Sequence, residues 1–139
     1  MKQERQFEIN EALEFVMTKF LGSYLESLHF FSVKNLENII EIQGQSKKED
    51  ISRFVLIRLG INDVNGEILI SNIFIPKEDR RQGIGLKLIL MIYLITKRFG
   101  FTLSLVDMTD HFYEKMLKRG ALETNYPDAL QIVDETNLE

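Results

Sequence analysis

One stretch of the sequence, residues 67–98, constrains the fold more than any other. It joins an apolar segment, Glu67 to Ile75, to a second apolar segment, Leu86 to Arg98, through a charged turn that contains two glycines. The first segment is apolar on both alternating faces, which is typical of a central strand covered on both sides. The second is rich in Leu and Met, which favour a helix, and it is apolar on nearly every side. The sequence therefore predicts a strand, a glycine turn and a buried helix in direct succession.

The neighbouring segments extend this unit into a sheet. Ser52 to Ile61 is rich in β-branched and aromatic residues, and Asn65-Gly66 suits the tip of a hairpin, so an antiparallel strand is predicted before Glu67. Gly100 is placed to end the helix. Phe101 to Val106 then reads as a strand, and the short link favours a crossover to a parallel neighbour.

The last part of the chain predicts one more helix and closing strands. Phe112 to Arg119 has helical character, with caps available in Asp107 to Asp110 and Gly120 at its end. Ala121 to Val133 is compatible with short strands around a turn, and the polar tail that follows is expected to fray. The side chains expected on the inner face of the helix are Phe112, Tyr113, Met116 and Leu117.

The N-terminal third is less decided. Phe7 to Leu21 has approximately helical apolar spacing, and Asn10 could cap its start. Leu28 to Val33 could be a strand, Asn35 to Ile42 either a short helix or an extended segment, and Gln45 to Asp50 reads as a loop. The residues expected on the apolar face of the first helix are Phe7, Leu13, Phe15, Val16, Phe20 and Leu21.

Length and charge narrow the function classes. With 139 residues, 1–139 is expected to form a single domain. The net charge of −4 offers no general attraction to nucleic acid, so nucleic acid is not an expected partner. The longest apolar stretch, Leu88 to Ile95, is far shorter than the roughly 20 residues that cross a bilayer, so no membrane partner is expected.

The absence of cysteine removes disulfides, thiolate metal sites and cysteine nucleophiles. Together with a polar N-terminus unlike a secretory signal, it favours a cytoplasmic protein. His29 and His111 are far apart and lack the spaced ligands of a metal site, so no metal is expected.

The chemistry-bearing segment is Arg80-Arg81-Gln82-Gly83-Ile84-Gly85, at the start of the predicted buried helix. Backbone N–H groups at a helix N-terminus are unpaired, and the positive end of the helix dipole attracts anions. Glycines let the backbone approach a phosphate, and the two arginines add charged donors. The alternative is a tight turn in which glycine merely permits the geometry. The segment does not match a dinucleotide fingerprint, which needs Gly or Ala at the position of Leu88. It does not match a P-loop either, which needs Lys at the position of Leu86.

These residues resemble the signature Q/R-x-x-G-x-G/A of the GNAT superfamily of acyl-CoA-dependent N-acyltransferases. Phe112-Tyr113-Glu114-Lys115 is similar to that family's F/Y-Y-E-K helix, and the clearest resemblance covers 53–133. It implies a single α+β domain, with a mixed, mostly antiparallel central sheet splayed in the middle and helices on both faces.

The resemblance also implies an activity: an N-acetyltransferase that moves an acetyl group from acetyl-CoA to a primary amine by direct attack in a ternary complex. Tyr113 resembles the tyrosine that serves as general acid for the leaving thiolate. The residues implied for binding acetyl-CoA are Ile73, Phe74 and Ile75 along the pantetheine arm, and Arg80, Arg81, Gln82, Gly83, Ile84 and Gly85 at the pyrophosphate.

The acceptor amine must be neutral to attack, so a base or an oriented water is needed. Asn72 or Ser71 could orient a water, and Asp107 is a further candidate, although its position favours a helix cap or a turn. The acceptor is expected to be a small-molecule or protein amine, and a homodimer is possible. One alternative is a catalytically silent acyl-CoA-binding sensor or interaction module on the same fold. Another is a phosphate-binding domain unrelated to acyl transfer.

Overall fold

A seven-stranded sheet organises the chain in a computed structural model that describes residues 2–24, 28–36, 38–46, 53–73 and 83–139. The strand order is β1-β2-β3-β4-β5-β7-β6, and every neighbouring pair is antiparallel except β4 and β5. The predicted α+β class with a mixed, mostly antiparallel sheet is confirmed. The described helices are α1 (Lys2–Tyr24), α2 (Ile84–Arg98) and α3 (Asp110–Lys118), and the strands are β1 (Leu28–Leu36), β2 (Ile39–Ser46), β3 (Arg53–Asn62), β4 (Glu67–Ile73), β5 (Thr102–Leu105), β6 (Leu122–Glu123) and β7 (Leu130–Ile132).

The strand registers place aliphatic side chains on one face of this sheet. Ile61 pairs with Ile68, Ile68 with Leu103, and Leu103 with Ile132, so one row crosses four strands. All four side chains are buried. Burying an aliphatic side chain of this size stabilises a fold by roughly 1.5–3 kcal/mol, so such rows hold the sheet under the helices.

The sheet opens between its two parallel strands. β4 pairs with β5 from Glu67 to Ile70, and the amide of Val106 donates to the carbonyl of Ile70 at 2.9 Å. β4 runs on to Ile73, still paired with β3 but beyond its described ladder with β5. The sheet is therefore splayed at its centre, as the resemblance implies.

The first helix is longer than predicted, and its predicted apolar face is only partly correct: Leu13 and Leu21 are buried. Ile9, Leu13 and Met17 are buried at four-residue intervals, with Leu21 continuing the stripe, whereas Phe7 and Phe15 are exposed by 66% and 63%. The prediction that the two phenylalanines face the core is wrong. Asn10 is not a cap either. It lies inside the helix, and its Nδ2 donates to Asn35 Oδ1 and to the Leu36 carbonyl, both at 3.2 Å.

The two undecided segments that follow are extended. Leu28 to Val33 lies in β1, and most of Asn35 to Ile42 is divided between the ends of β1 and β2, which pair with each other. Gln45 belongs to β2, so the predicted loop begins later than expected, and 47–50 lie outside the described residues.

The later helices agree with the prediction in position. α2 packs against α1 and β5, but Met91 and Leu94 are exposed by 38% and 53%, so one side of it faces solvent, contrary to the prediction. α3 packs against β7 and buries Met116 completely, with Phe112, Tyr113 and Leu117 half-buried beside the core, as predicted. None of the described helices is long and apolar enough to span a membrane.

The C-terminal tail is docked rather than frayed, which corrects the sequence prediction. The amide of Asn137 donates to the Arg119 carbonyl at 2.7 Å, and Leu138 is only 4% exposed. Asp134 accepts hydrogen bonds from the Tyr93 hydroxyl and from Lys97 Nζ on α2. A buried leucine and these polar contacts outweigh the polar composition of the segment.

Candidate active site

The N-terminus of α2 has backbone donors that find no partner within the helix. Gly83 precedes the helix in the left-handed conformation, with φ 70°, and its carbonyl accepts the first helical hydrogen bond from Lys87 N at 3.0 Å. The amides of Ile84, Gly85 and Leu86 come too early in the helix for a carbonyl partner within it. No acidic side chain lies in the first turn. Among the described residues, the positive end of this helix is therefore uncompensated.

Gly85 sits in this first turn without a packing reason to be glycine. A Cβ built on Gly85 would meet no atom within 4 Å among its non-local neighbours, whereas Gly83 is constrained by its positive φ. The half-buried backbone of Gly85 faces open space, where a ligand can come close to its amide.

A groove of about 1020 Å³ opens beside these amides. This volume is at the upper end of ordinary ligand sites, which run to roughly 1,000 Å³. Its walls are the end of β4, the first two turns of α2, the exit of β5, one side of α3 and the chain end. The predicted site residues that the structure brings together here are Asn72, Ile73, Gly83, Ile84 and Gly85. The predicted residues Phe74, Ile75, Arg80, Arg81 and Gln82 lie outside the described part of the chain.

One side of α3 contributes groove residues that the sequence reasoning missed. His111, Lys115 and Arg119 follow each other at four-residue intervals and all line the groove. A second cavity of about 610 Å³ continues along the same side and includes Lys118. The four-residue spacing is visible in the sequence and indicates one helix face. The aromatic residues on another face of the same helix dominate the sequence pattern of this segment.

Tyr113, the predicted general acid, is not among the lining residues of this groove. Partial burial raises the pKa of its hydroxyl, and the carboxylates of Glu123, Glu114 and Asp128 raise that pKa further. The hydroxyl therefore stays protonated at neutral pH, which is the form a general acid requires.

Asp107 has one of the two structural roles that the sequence favoured for it. The cap of α3 is Thr109, whose Oγ1 accepts from the Phe112 amide at 3.2 Å, so Asp107 is not the helix cap. It is a turn residue, which is the other role that its position at a strand-to-helix junction favoured. Asp107 follows β5, lines the groove and has a φ of 53°. Across the opening, the Nδ2 of Asn72 donates to the Val55 carbonyl at 3.0 Å, which fixes its amide in the strand end.

The chain end closes the far side of the groove. Nη1 of Arg119 donates to the carbonyls of Asn137 and Glu139, at 3.1 and 3.2 Å. Leu138 and Glu139 line the groove beside α3. Within the described ranges, no group of three His, Asp or Glu side chains is placed to hold a metal ion.

Two solved structures have folds similar to the fold of this chain. No family model matches the chain, and no curated protein matches it. Its fold is similar to the crystal structure of nourseothricin acetyltransferase, at 14% identity over 68% of this chain and a TM-score of 0.42. The chain spans 63% of that protein. It is also similar, at 16% identity and a TM-score of 0.43, to a protein of Klebsiella pneumoniae subsp. pneumoniae MGH 78578 that is proposed to be an acyl-CoA N-acyltransferase. That likeness covers 86% of this chain and 87% of the other. Identities and scores this low do not carry an activity from one protein to another.

Proposed function

We propose that the chain is an N-acyltransferase that takes an acetyl group from acetyl-CoA and transfers it to a primary amine. One observation carries the proposal: the unpaired amides of α2, on the Gly83-Ile84-Gly85 turn, open into a groove at the split between β4 and β5. Gly83 is the cap of α2 and Gly85 lies in its first turn. A glycine turn that opens a helix after a strand is the context that the chemistry of the signature needs, which supports the proposal.

Coenzyme A fits the groove at both of its polar parts. Its pyrophosphate is an anion that the α2 amides can receive, and Lys115 adds positive charge on the opposite wall. The pantetheine arm carries amides, and the end of β4 beyond its ladder with β5 offers a strand edge to pair with them. In this proposal Ile73, Phe74 and Ile75 hold the arm.

The pyrophosphate contacts in the proposal are those that the signature implies. Gly83, Ile84 and Gly85 would contribute backbone donors, and Arg80, Arg81 and Gln82 would contribute side chains from the turn. Open space at Gly85 supports such an approach, since no non-local atom of the described residues lies within 4 Å of its Cβ position.

Transfer is proposed to be direct. The nitrogen lone pair attacks the thioester carbonyl carbon and the nitrogen gives up one proton to the oriented water. The carbon–sulfur bond breaks, and the sulfur leaves as a thiolate that takes a proton. Holding both reactants in one groove supplies much of the rate enhancement. Tyr113 remains the proposed proton donor and Asn72 the proposed group that orients a water for the amine.

An acceptor screen tests the activity. The full chain is mixed with acetyl-CoA and a panel of primary amines, and free thiol is followed with a chromogenic disulfide. We expect thiol release that depends on both reactants, without a burst when the amine is omitted. Binding of acetyl-CoA with no thiol release for any amine class would instead support the catalytically silent sensor.

A further inference from the structure

The carboxylate of Asp107 has no structural task among the described residues. Thr109 caps α3, and Asp110 already supplies the acidic residue of its first turn. No hydrogen bond or ion pair from the Asp107 side chain is found within the described part of the chain. The side chain is exposed and lines the groove, so its charge is presented to whatever binds there.

The backbone at Asp107 is also unusual. Its φ of 53° is the one positive φ at a non-glycine residue in the described ranges. This left-handed region favours glycine, and a non-glycine residue that is held in it beside a cleft points to a role there. The turn aims the residue out of β5 at the place where β5 and β4 separate, just after the bond from Val106 N to the Ile70 carbonyl.

Charge is divided within the groove. The cationic lining residues Lys87, Lys115 and Arg119 belong to the α2 and α3 region, together with the free amides of α2. Among the described residues at the sheet end of the groove, Asp107 is the one charged residue beside the neutral strand residues Ser71 and Asn72. The other acidic lining residue, Glu139, lies in the chain end beside Arg119. Phosphates are thus attracted to the positive charges of α2 and α3, and a cation is attracted to the carboxylate of Asp107 where β4 and β5 separate.

We propose that Asp107 binds the ammonium group of the acceptor before that group loses a proton and attacks, so that the acceptors are cationic primary amines. This inference rests on the proposed function and adds the acceptor subsite and its charge preference. A carboxylate holds an ammonium ion through charge-assisted hydrogen bonds, which are about twice as strong as neutral ones. Asp107 is therefore a specificity-determining residue, and an uncharged amine gains little from it.

The test compares Asp107→Asn with the wild type by calorimetry, on protein saturated with coenzyme A. Asparagine has the same shape and also tolerates a positive φ, so the fold should be retained. The probes are 1,4-diaminobutane, which is cationic at neutral pH, and aniline, which is not. Asp63→Asn is the matched control, since Asp63 lies in the β3–β4 turn at the opposite end of β4.

We expect the wild type and Asp63→Asn to prefer diaminobutane over aniline, and Asp107→Asn to bind diaminobutane about 10- to 100-fold more weakly. Affinity for acetyl-CoA should be the same in all three proteins. If acetyl-CoA binds but diaminobutane binds equally well without the Asp107 charge, or does not bind the wild type, the inference is overturned. Failure of acetyl-CoA itself to bind would instead contradict the proposed function.

Discussion

Substitution of Gly85 tests whether glycine at this position serves the fold or the binding of a ligand. Its Cβ position is open, and alanine favours a helix over glycine, so we predict that Gly85→Ala stabilises the ligand-free protein by about 0.5–1 kcal/mol. The same methyl group would stand where a phosphate must approach. Affinity for acetyl-CoA should therefore fall at least about tenfold, as measured by calorimetry beside urea unfolding.

Gly22→Ala is the matched control, because Gly22 lies in α1 and its Cβ position is equally open. It should raise stability without changing affinity. Gly83→Ala should cost about 1 kcal/mol of stability through its left-handed backbone. Equal acetyl-CoA affinity in Gly85→Ala and the wild type would mean that glycine merely permits the geometry of this turn and does not serve ligand binding.

Tyr113 tests the proposed proton donor. We predict that Tyr113→Phe keeps its affinity for acetyl-CoA and loses about 100-fold in kcat, since general acids contribute at least that much. His111→Gln is the comparison, because His111 lines the groove and Tyr113 does not. A Tyr113→Phe enzyme with normal kcat would assign that ring to packing alone.

Tyr93 links the stability of the protein to alkaline pH. Burial, and then its hydrogen bond to Asp134, raise the pKa of Tyr93 to about 12. The protonated Tyr93 hydroxyl makes its full contribution to the free energy of unfolding below the unfolded pKa of roughly 10. That contribution is lost as the pH rises through the pKa of the folded state. Urea unfolding should show the wild type losing about 1–2 kcal/mol more than Tyr93→Phe between those limits. Parallel losses in the two proteins would contradict this.

At the scale of elements, a cross-strand pair ties β2 to β3 and responds to acid. The Arg58 guanidinium donates to Glu41, and this hydrogen bond, more than any other cause, lowers the pKa of Glu41. Only 12% of the Glu41 side chain is exposed. Its stabilisation is present above the unfolded pKa of roughly 4.3 and is lost as the pH falls through the lowered folded value.

We therefore predict that Glu41→Gln is about 1 kcal/mol less stable at neutral pH, and that the difference narrows as the medium becomes acidic. Chemical denaturation across that range measures it, with Glu8→Gln on α1 as a control away from the pair. A difference that does not change with pH would mean that the carboxylate charge contributes nothing.

The elements from β3 to β7 were predictable because local signals agree there. Asn65-Gly66 marks the hairpin, Gly100 ends α2, and each apolar run has the length of its element. The buried face of α1 was harder to predict, because the helix has more apolar residues than core positions. Its packing against α2 decides which of them are buried, and it leaves Phe7 and Phe15 exposed to solvent. The β1–β2 hairpin was ambiguous because short apolar runs suit helix and strand alike.

The candidate site was predictable where a motif concentrates in one turn, as at Gly83 and Gly85. It was less so where distant segments meet. In the sequence, Asp107 is at a position that suits a helix cap. Only the conformation of the turn shows that Thr109 is the cap of α3. The docking of Leu138 depends on contacts with α3 that no local pattern encodes.

At the scale of the whole molecule, the split in the sheet and the free end of α2 open into one groove. β4 and β5 separate after Ile70, and the Gly83 turn starts α2 on one wall of the opening. A single sheet and one continuous core hold these parts in fixed relation. The molecule thus has a helix N-terminus and a strand edge side by side, and the proposed function requires a ligand that uses both.

Calorimetric titration of the protein with acetyl-CoA tests this most directly. We predict saturable binding at one site and a rise in melting temperature, because a ligand at 100 times its Kd stabilises the folded state by about 2.7 kcal/mol. Gly85→Ala should weaken both effects. No heat and an unchanged melting temperature at saturating acetyl-CoA would contradict the account.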